Sequence, residues 1–209
     1  MSILNRIAYF QNRRDEIPNQ ELARDLATSK DKKGIQEIAE NLWNKDKNVR
    51  ADCIKVLYEI GYIDPILIAD YAEDFVRLLK SANNRMVWGG MTALGSIAAL
   101  KAEMIYLHLD EIRRAIAEGS VITVDNGILT LARAAAQSDE ISVVIFPYLL
   151  EHLRTCRPKD VAQHAEKTLV AVNATNRDPF ISALEKRLED LSGAGLARVK
   201  KVIKEARRC

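Results

Sequence analysis

Three histidines, three cysteines and 29 acidic side chains are the groups available for catalysis or metal binding in this 209-residue chain. His108, His152 and His164 fall in three separate predicted helices, and none has an i+4 His or a nearby Cys or Glu motif of the HExxH type. Cys53, Cys156 and Cys209 are odd in number, far apart and in no CxxC spacing, which argues against both a zinc site and a disulfide framework. No GxSxG, Walker loop or GxGxxG occurs, and Gly89-Gly90 lies inside a predicted helix rather than in a strand-to-helix turn that cradles phosphate. Glu73-Asp74 and Asp139-Glu140 are adjacent on helices, so their carboxylates point about 100° apart and read as solvated surface. The expectation is no catalytic residue, no metal and no cofactor.

Binding chemistry is better represented. The string Asn83-Asn84-Arg85-Met86-Val87-Trp88-Gly89-Gly90 opens a helix with two glycines that each cost about 1 kcal/mol relative to alanine. Gly90 falls in a repeating column of small residues and reads as close packing. Gly89 reads as backbone left open beside Trp88, an aromatic anchor of the type enriched in binding hot spots. Asp125 and Asn126 stand 37 residues further on, and Arg133 and His164 extend a polar stripe past them. Trp88, Gly89, Asp125, Asn126, Arg133 and His164 are the candidate partner-binding set. The competing reading has Trp88 filling a seam between helices and Asp125 capping or pairing locally, with Trp43 closing the opposite side of the core.

A second candidate is the basic run AGLARVKKVIKEARRC. From Lys186 onward there are eight Lys and Arg against three Asp and Glu, a local excess of cations in a chain whose formal net charge is only +2. Lys200, Lys201, Lys204, Arg207 and Arg208 surround an apolar stripe of Leu196, Val199, Val202 and Ile203. Such a helix can meet an acidic protein, a phosphate or a membrane surface, or can simply cap the end of the fold.

These side chains need helices to position them. With 48% hydrophobic and 29% charged residues, nine glycines and five prolines, the chain is ordinary globular material. Apolar residues recur at three- and four-residue spacing and strand signals are almost missing, so the fold class is all-α. Pro18, Pro65, Pro158 and Pro179 fall where helices begin, and the Asp64-Pro65 and Asp178-Pro179 pairs offer a capping oxygen and a preset first turn. At an offset of 37, Ile38, Phe75, Ile112 and Leu149 share one column, and Leu42, Leu79, Ile116 and Leu153 share another. In the following helix of each unit, Leu57, Leu94 and Leu131 align, as do Cys53, Gly90 and Gly127, with Ala165 joining after a one-residue slip. Each unit is therefore a helix pair that cannot cover its own apolar faces, and successive pairs must stack. The expected pairs are 34–44 with 48–61, 65–80 with 84–99, 102–118 with 122–137, and 140–155 with 159–173. A degenerate pair follows at 179–191 with 196–207. Residues 1–33 form an N-terminal cap, 34–173 four repeats and 174–209 a C-terminal repeat or cap of a single domain.

The columns resemble the HEAT repeats of the armadillo-like superfamily. Pro147, Leu149 and Leu153 match that family's first-helix pattern, and Val49, Arg50, Cys53, Leu57 and Ile60 match its second. The resemblance departs where Gln36, Glu73 and Asp110 replace the proline, and where Met86-Val87 and Thr123-Val124 replace Val-Arg. It implies an α-α superhelix of about five pairs whose second helices line a concave groove, and a non-enzymatic scaffold that holds a protein or peptide there. The alternative it allows is a DNA-binding, alkylation-repair glycosylase-type protein using Trp88, Asp125 and Arg133. Columns such as Lys55, Thr92 and Leu129 hold too few cations for several phosphate contacts, so nucleic acid is the less favoured partner. HEAT-like phycobilin lyases share the architecture without motif support here. The free cysteines and the lack of an export or membrane-spanning segment place the expectation in the cytoplasm, with the oligomeric state left open.

Overall fold

A computed structural model describes residues 2–209, which form twelve α-helices and no strand among the described residues. The helices lie in two layers. One contains α2 (Lys32–Glu40), α4 (Ala72–Leu78), α6 (Ala102–Leu107), α7 (Leu109–Glu118), α9 (Asp139–Thr155) and α11 (Arg177–Glu185). The other is a row of α1 (Ile17–Ser29), α3 (Lys47–Ile63), α5 (Asn84–Ile97), α8 (Val121–Ala135), α10 (Pro158–Thr168) and α12 (Gly193–Ala206), each packed on the next. Helix α1 thus sits in the same row as the second helices, against α3. No helix among the described residues is long and apolar enough to cross a membrane.

Local chemistry starts most of these helices. Side-chain oxygens of Asp31, Asp46, Asn83, Ser120 and Ser138 accept from backbone amides in the first turns of α2, α3, α5, α8 and α9. Those amides have no partner within the helix, which is why the short polar residues stand there. Asp64 caps as expected, but the stretch it opens, Pro65–Tyr71, is a 3-10 helix that becomes α-helical only at Ala72. Asp178 is not a cap: α11 begins one residue earlier and the Asp178 carboxylate faces Arg177. The stretch expected as one helix over 102–118 breaks at His108, whose imidazole lies 3.2 Å from the Glu73 carboxylate.

The core lies between the layers and the repeat columns supply it. Ile38, Phe75, Ile112 and Leu149 are all fully buried, as are Leu57, Leu94 and Leu131 opposite them. Full burial of such a side chain contributes roughly 1.5–3 kcal/mol each. The small-residue column marks where a second helix crosses its own first helix. A Cβ on Gly90 would come within 3.0 Å of the Phe75 carbonyl and the Leu78 Cβ, and one on Gly127 would overlap the Ile116 side chain. Trp43 is not part of this core: it is 45% exposed, with the Arg77 guanidinium 4.2 Å above its ring.

Replacing Gly127 with alanine will therefore destabilise the protein although alanine is the better helix former. Overpacking costs about 1–3 kcal/mol, against a propensity gain of about 1. Gly127→Ala/Ile116→Ala removes the clash but also gives up the buried Ile116 contacts, so it falls below the single variant. Gly195→Ala, where an added Cβ meets nothing within 4 Å, raises the melting temperature instead. Urea unfolding of the four proteins checks the ordering.

Candidate functional site

The predicted binding residues separate into two clusters on the second row of helices. The first is built where α1, α3 and α5 meet. Lys55, Tyr58, Glu59 and Tyr62 share one face of α3 at i, i+3, i+4 and i+7, so about two turns of helix present them together. Glu16, at the start of α1, bonds Lys55 Nζ at 2.8 Å and Arg85 Nη2 at 2.7 Å, and Lys55 also pairs with Glu59. Burial works against the Lys55 ammonium, but its hydrogen bonds to Glu16 and Glu59 outweigh that and hold its pKa above the ordinary lysine value. Tyr58 lies between Tyr62 and Trp88, with ring centroids 5.9 Å from each. Burial pushes the Tyr58 hydroxyl up to about 12, so it stays protonated.

Trp88 is therefore partly exposed at the α3–α5 seam, against Tyr58 on one side and with the Arg85 guanidinium 6.0 Å from its ring. Trp88 fills a seam and keeps an open edge. Gly89 requires a correction. It is buried, and a Cβ there would lie 2.7 Å from Ile54 Cγ1, so the glycine serves the approach of α5 to α3 and offers no surface to a partner.

The second cluster joins α8, α9 and α10. Asp125 Oδ1 lies 2.7 Å from His164 Nε2, and Asp125 Oδ2 accepts from Gln163 at 2.8 Å. The Asp125 carbonyl accepts from Lys167 Nζ. A carboxylate only accepts, so His164 carries a proton on Nε2, and in the neutral ring this leaves the Nδ1 lone pair free. That lone pair takes the hydrogen bond from His152 Nε2 at 2.8 Å, completing an Asp125–His164–His152 relay. His164 is only 2% exposed. Burial, then the neighbouring His164, pushes His152 down to about 4, so it is neutral at physiological pH.

Cys156 ends α9 beside this relay, and one donor atom from each of His152, Cys156 and His164 lies within 4.8 Å of the others. Burial raises the Cys156 thiol pKa, partly offset by Arg187, whose guanidinium bonds the carbonyls of Leu153 and Cys156. This corrects the expectation that the histidines stand apart. The sequence carries the signal, because Cys156 follows His152 by four residues, one helical turn, a spacing that a search for His-His and HExxH pairs passes over.

The other predicted residues have local partners. Asn126 Nδ2 bonds the Ile122 carbonyl one turn back, and Arg133 Nη1 bonds the Gly95 carbonyl at 2.6 Å. Asp125 thus pairs with His164, Arg133 with the Gly95 carbonyl, and Trp88 packs against Tyr58. Lys200, Lys201, Lys204, Arg207 and Arg208 are all exposed on α12 or just beyond it. Lys201 faces Glu205 and Arg207 faces Glu185, while Lys200, Lys204 and Arg208 have no carboxylate within 4.0 Å among the described residues.

No protein-family model and no curated protein matches the sequence. Solved structures match in shape. An engineered protein shares 18% identity at a TM-score of 0.66, over 100% of this chain and 98% of that one. A designed armadillo repeat protein in complex with the peptide (KR)4 gives 14% identity and a TM-score of 0.68, over 90% of this chain and 85% of that one. Computationally designed armadillo repeat proteins for modular peptide recognition give 14% and 0.66, over 98% of each chain. At such identities the likeness is one of fold. The chain is an armadillo- or HEAT-like α-solenoid, the superhelix that the repeat columns predict.

The relay leads to two expectations. Asp125→Ala leaves buried His164 without its acceptor and costs about 1.5–3 kcal/mol, the range for a hydrogen bond to a charged group, read by urea unfolding at pH 7. Above pH 6.5, His152 is neutral in both the folded and unfolded states and contributes nothing to the pH dependence. Between 6.5 and about 4 the unfolded chain takes a proton that the folded chain refuses, so stability falls as the pH falls. The slope from this one proton is at most about 1.4 kcal/mol per pH unit. His152→Gln shows a shallower loss than wild type over that window, measured with a chelator present.

Proposed function

We propose that this chain is a non-enzymatic protein-protein interaction scaffold that holds a peptide segment of a partner along the exposed face of its second helical row. The observation that carries the reading is the strip Tyr62–Tyr58–Trp88 running across the α3–α5 seam, bordered by Glu16, Lys55, Glu59 and Arg85. Tyr62 is 60% exposed, a large aromatic surface open to a partner. Rings with few rotatable bonds lose little entropy on binding, and the flanking charges are already held in place by one another. One solved neighbour carries the peptide (KR)4 and another is described as designed for modular peptide recognition, which supports the same use of this fold. Three free thiols fit a reducing compartment such as the cytoplasm.

Selection of a displayed peptide library on the intact chain tests the proposal. Trp88→Ala and Tyr62→Ala are each expected to weaken a selected peptide by about tenfold or more, the equivalent of ~1.4 kcal/mol. Tyr62, being so exposed, separates binding from folding. If both variants keep full affinity with unchanged melting, this face is not the site. If the chain instead binds duplex DNA with an affinity that drops steeply with salt, the nucleic-acid alternative takes its place.

A further inference from the structure

Away from the aromatic strip, the Asp125–His164–His152 relay lies beside the Cys156 thiol, which is also 3.9 Å from the Leu153 carbonyl. A hydrogen-bonded histidine pair is sufficient to join α9 to α10, yet Cys156 places a third nitrogen-or-sulfur donor within 4.8 Å of both rings. We propose that His152 Nε2, His164 Nδ1 and Cys156 Sγ bind one zinc ion, with water in the fourth position.

The donor set suits the ion. Two imidazoles and a thiolate are the borderline and soft ligands that zinc prefers, and three protein ligands leave a tetrahedral site with one position open. Bonds of about 2.0–2.1 Å to nitrogen and 2.3 Å to sulfur put tetrahedral donors roughly 3.3–3.7 Å apart. The two ring nitrogens, now 2.8 Å apart, must therefore separate slightly, while the thiol closes by roughly 1 Å at most. Rotation about the Cα–Cβ bond moves the partly buried Cys156 thiol while its backbone stays tied to the His152 carbonyl and to Arg187.

The surroundings orient the ligands. His164 is buried and donates its Nε2 proton to Asp125, so the nitrogen facing the other donors is the one with the lone pair. Asp125 is itself held by Gln163 and Lys167. This is the outer-shell carboxylate arrangement that fixes a metal-binding imidazole and increases its basicity. The nearby Arg187 cation is spent on the carbonyls of Leu153 and Cys156 and on Asp190, and so holds the end of α9 in place. Asp160, which also faces His152, pairs with Arg157.

Binding is balanced in protons. His152 shifts its single proton from Nε2 to Nδ1 and remains neutral, His164 keeps its Nε2 proton, and the Cys156 thiol loses one proton to solvent. The ion would tie the end of α9 to α10 and, through Asp125, to α8.

Titration of the intact chain with Co(II) and Zn(II) tests this, on a Cys209→Ser background that removes the exposed terminal thiol. The expected result is one ion per chain, the ligand-field bands of tetrahedral Co(II), a thiolate-to-cobalt charge-transfer band, and displacement by Zn(II) with a rise in melting temperature. Cys156→Ser loses the charge-transfer band, and His164→Ala loses the tetrahedral spectrum. Asp125→Asn, which touches no metal, weakens Zn(II) binding by about 10–100-fold. Absence of one-to-one binding at micromolar metal, or a Co(II) spectrum unchanged by Cys156→Ser, overturns the proposal and leaves the cluster as a hydrogen-bonded tie between helices. Cys156→Ser is the decisive variant if His164→Ala fails to fold, because Cys156 is only partly buried.

Discussion

A second helix reaches its own first helix in this fold because the residue at the crossing has almost no side chain. Gly90 against Phe75 and Leu78, and Gly127 against Ile116, set the distance between the two layers. With that distance set, Phe75, Leu94, Ile112 and Leu131 are fully buried between the layers. Larger residues at the crossings would force the layers apart, and each buried aliphatic column would lose contacts along its length. Stacking multiplies the effect, since every pair also forms a wall for the next.

The exposed face of the second row inherits its order from that packing. Lys55 lies on the side of α3 turned away from the buried columns, where Glu16 from α1 and Glu59 from its own helix meet its ammonium. The ion pairs add little unless they are held in place, and here the helices on either side hold them. The Asp125–His164–His152 relay is a second example, one in which buried His164 and partly buried Asp125 and His152 on three neighbouring helices satisfy one another. Helices that are close for apolar reasons acquire polar ties that fix their rotation.

Much of the architecture is legible from residue order. A column is legible because a buried position excludes polar side chains, and Ile38, Phe75, Ile112 and Leu149 recur at 37 residues for that reason. The Asp64 cap is equally legible, since its side chain satisfies an amide two residues on, whereas Asp178 lies inside the first turn of α11 and caps nothing. The Gly89 assignment failed for a related reason. A glycine without a column looks free, and only the position of Ile54 on the adjacent helix shows that its missing Cβ makes room for packing.

The two candidate clusters divide along the same line. Local spacing determined the helices, the layered packing and the side of α3 on which Lys55, Tyr58 and Tyr62 appear, because those depend on the 3.6-residue turn and on which residues avoid water. The meeting of Glu16 with Arg85, 69 positions apart, and of Asp125 with His164, 39 apart, was decided only in three dimensions. A single polar residue has no periodic signature, and its partner is chosen by how neighbouring helices stack and turn against one another.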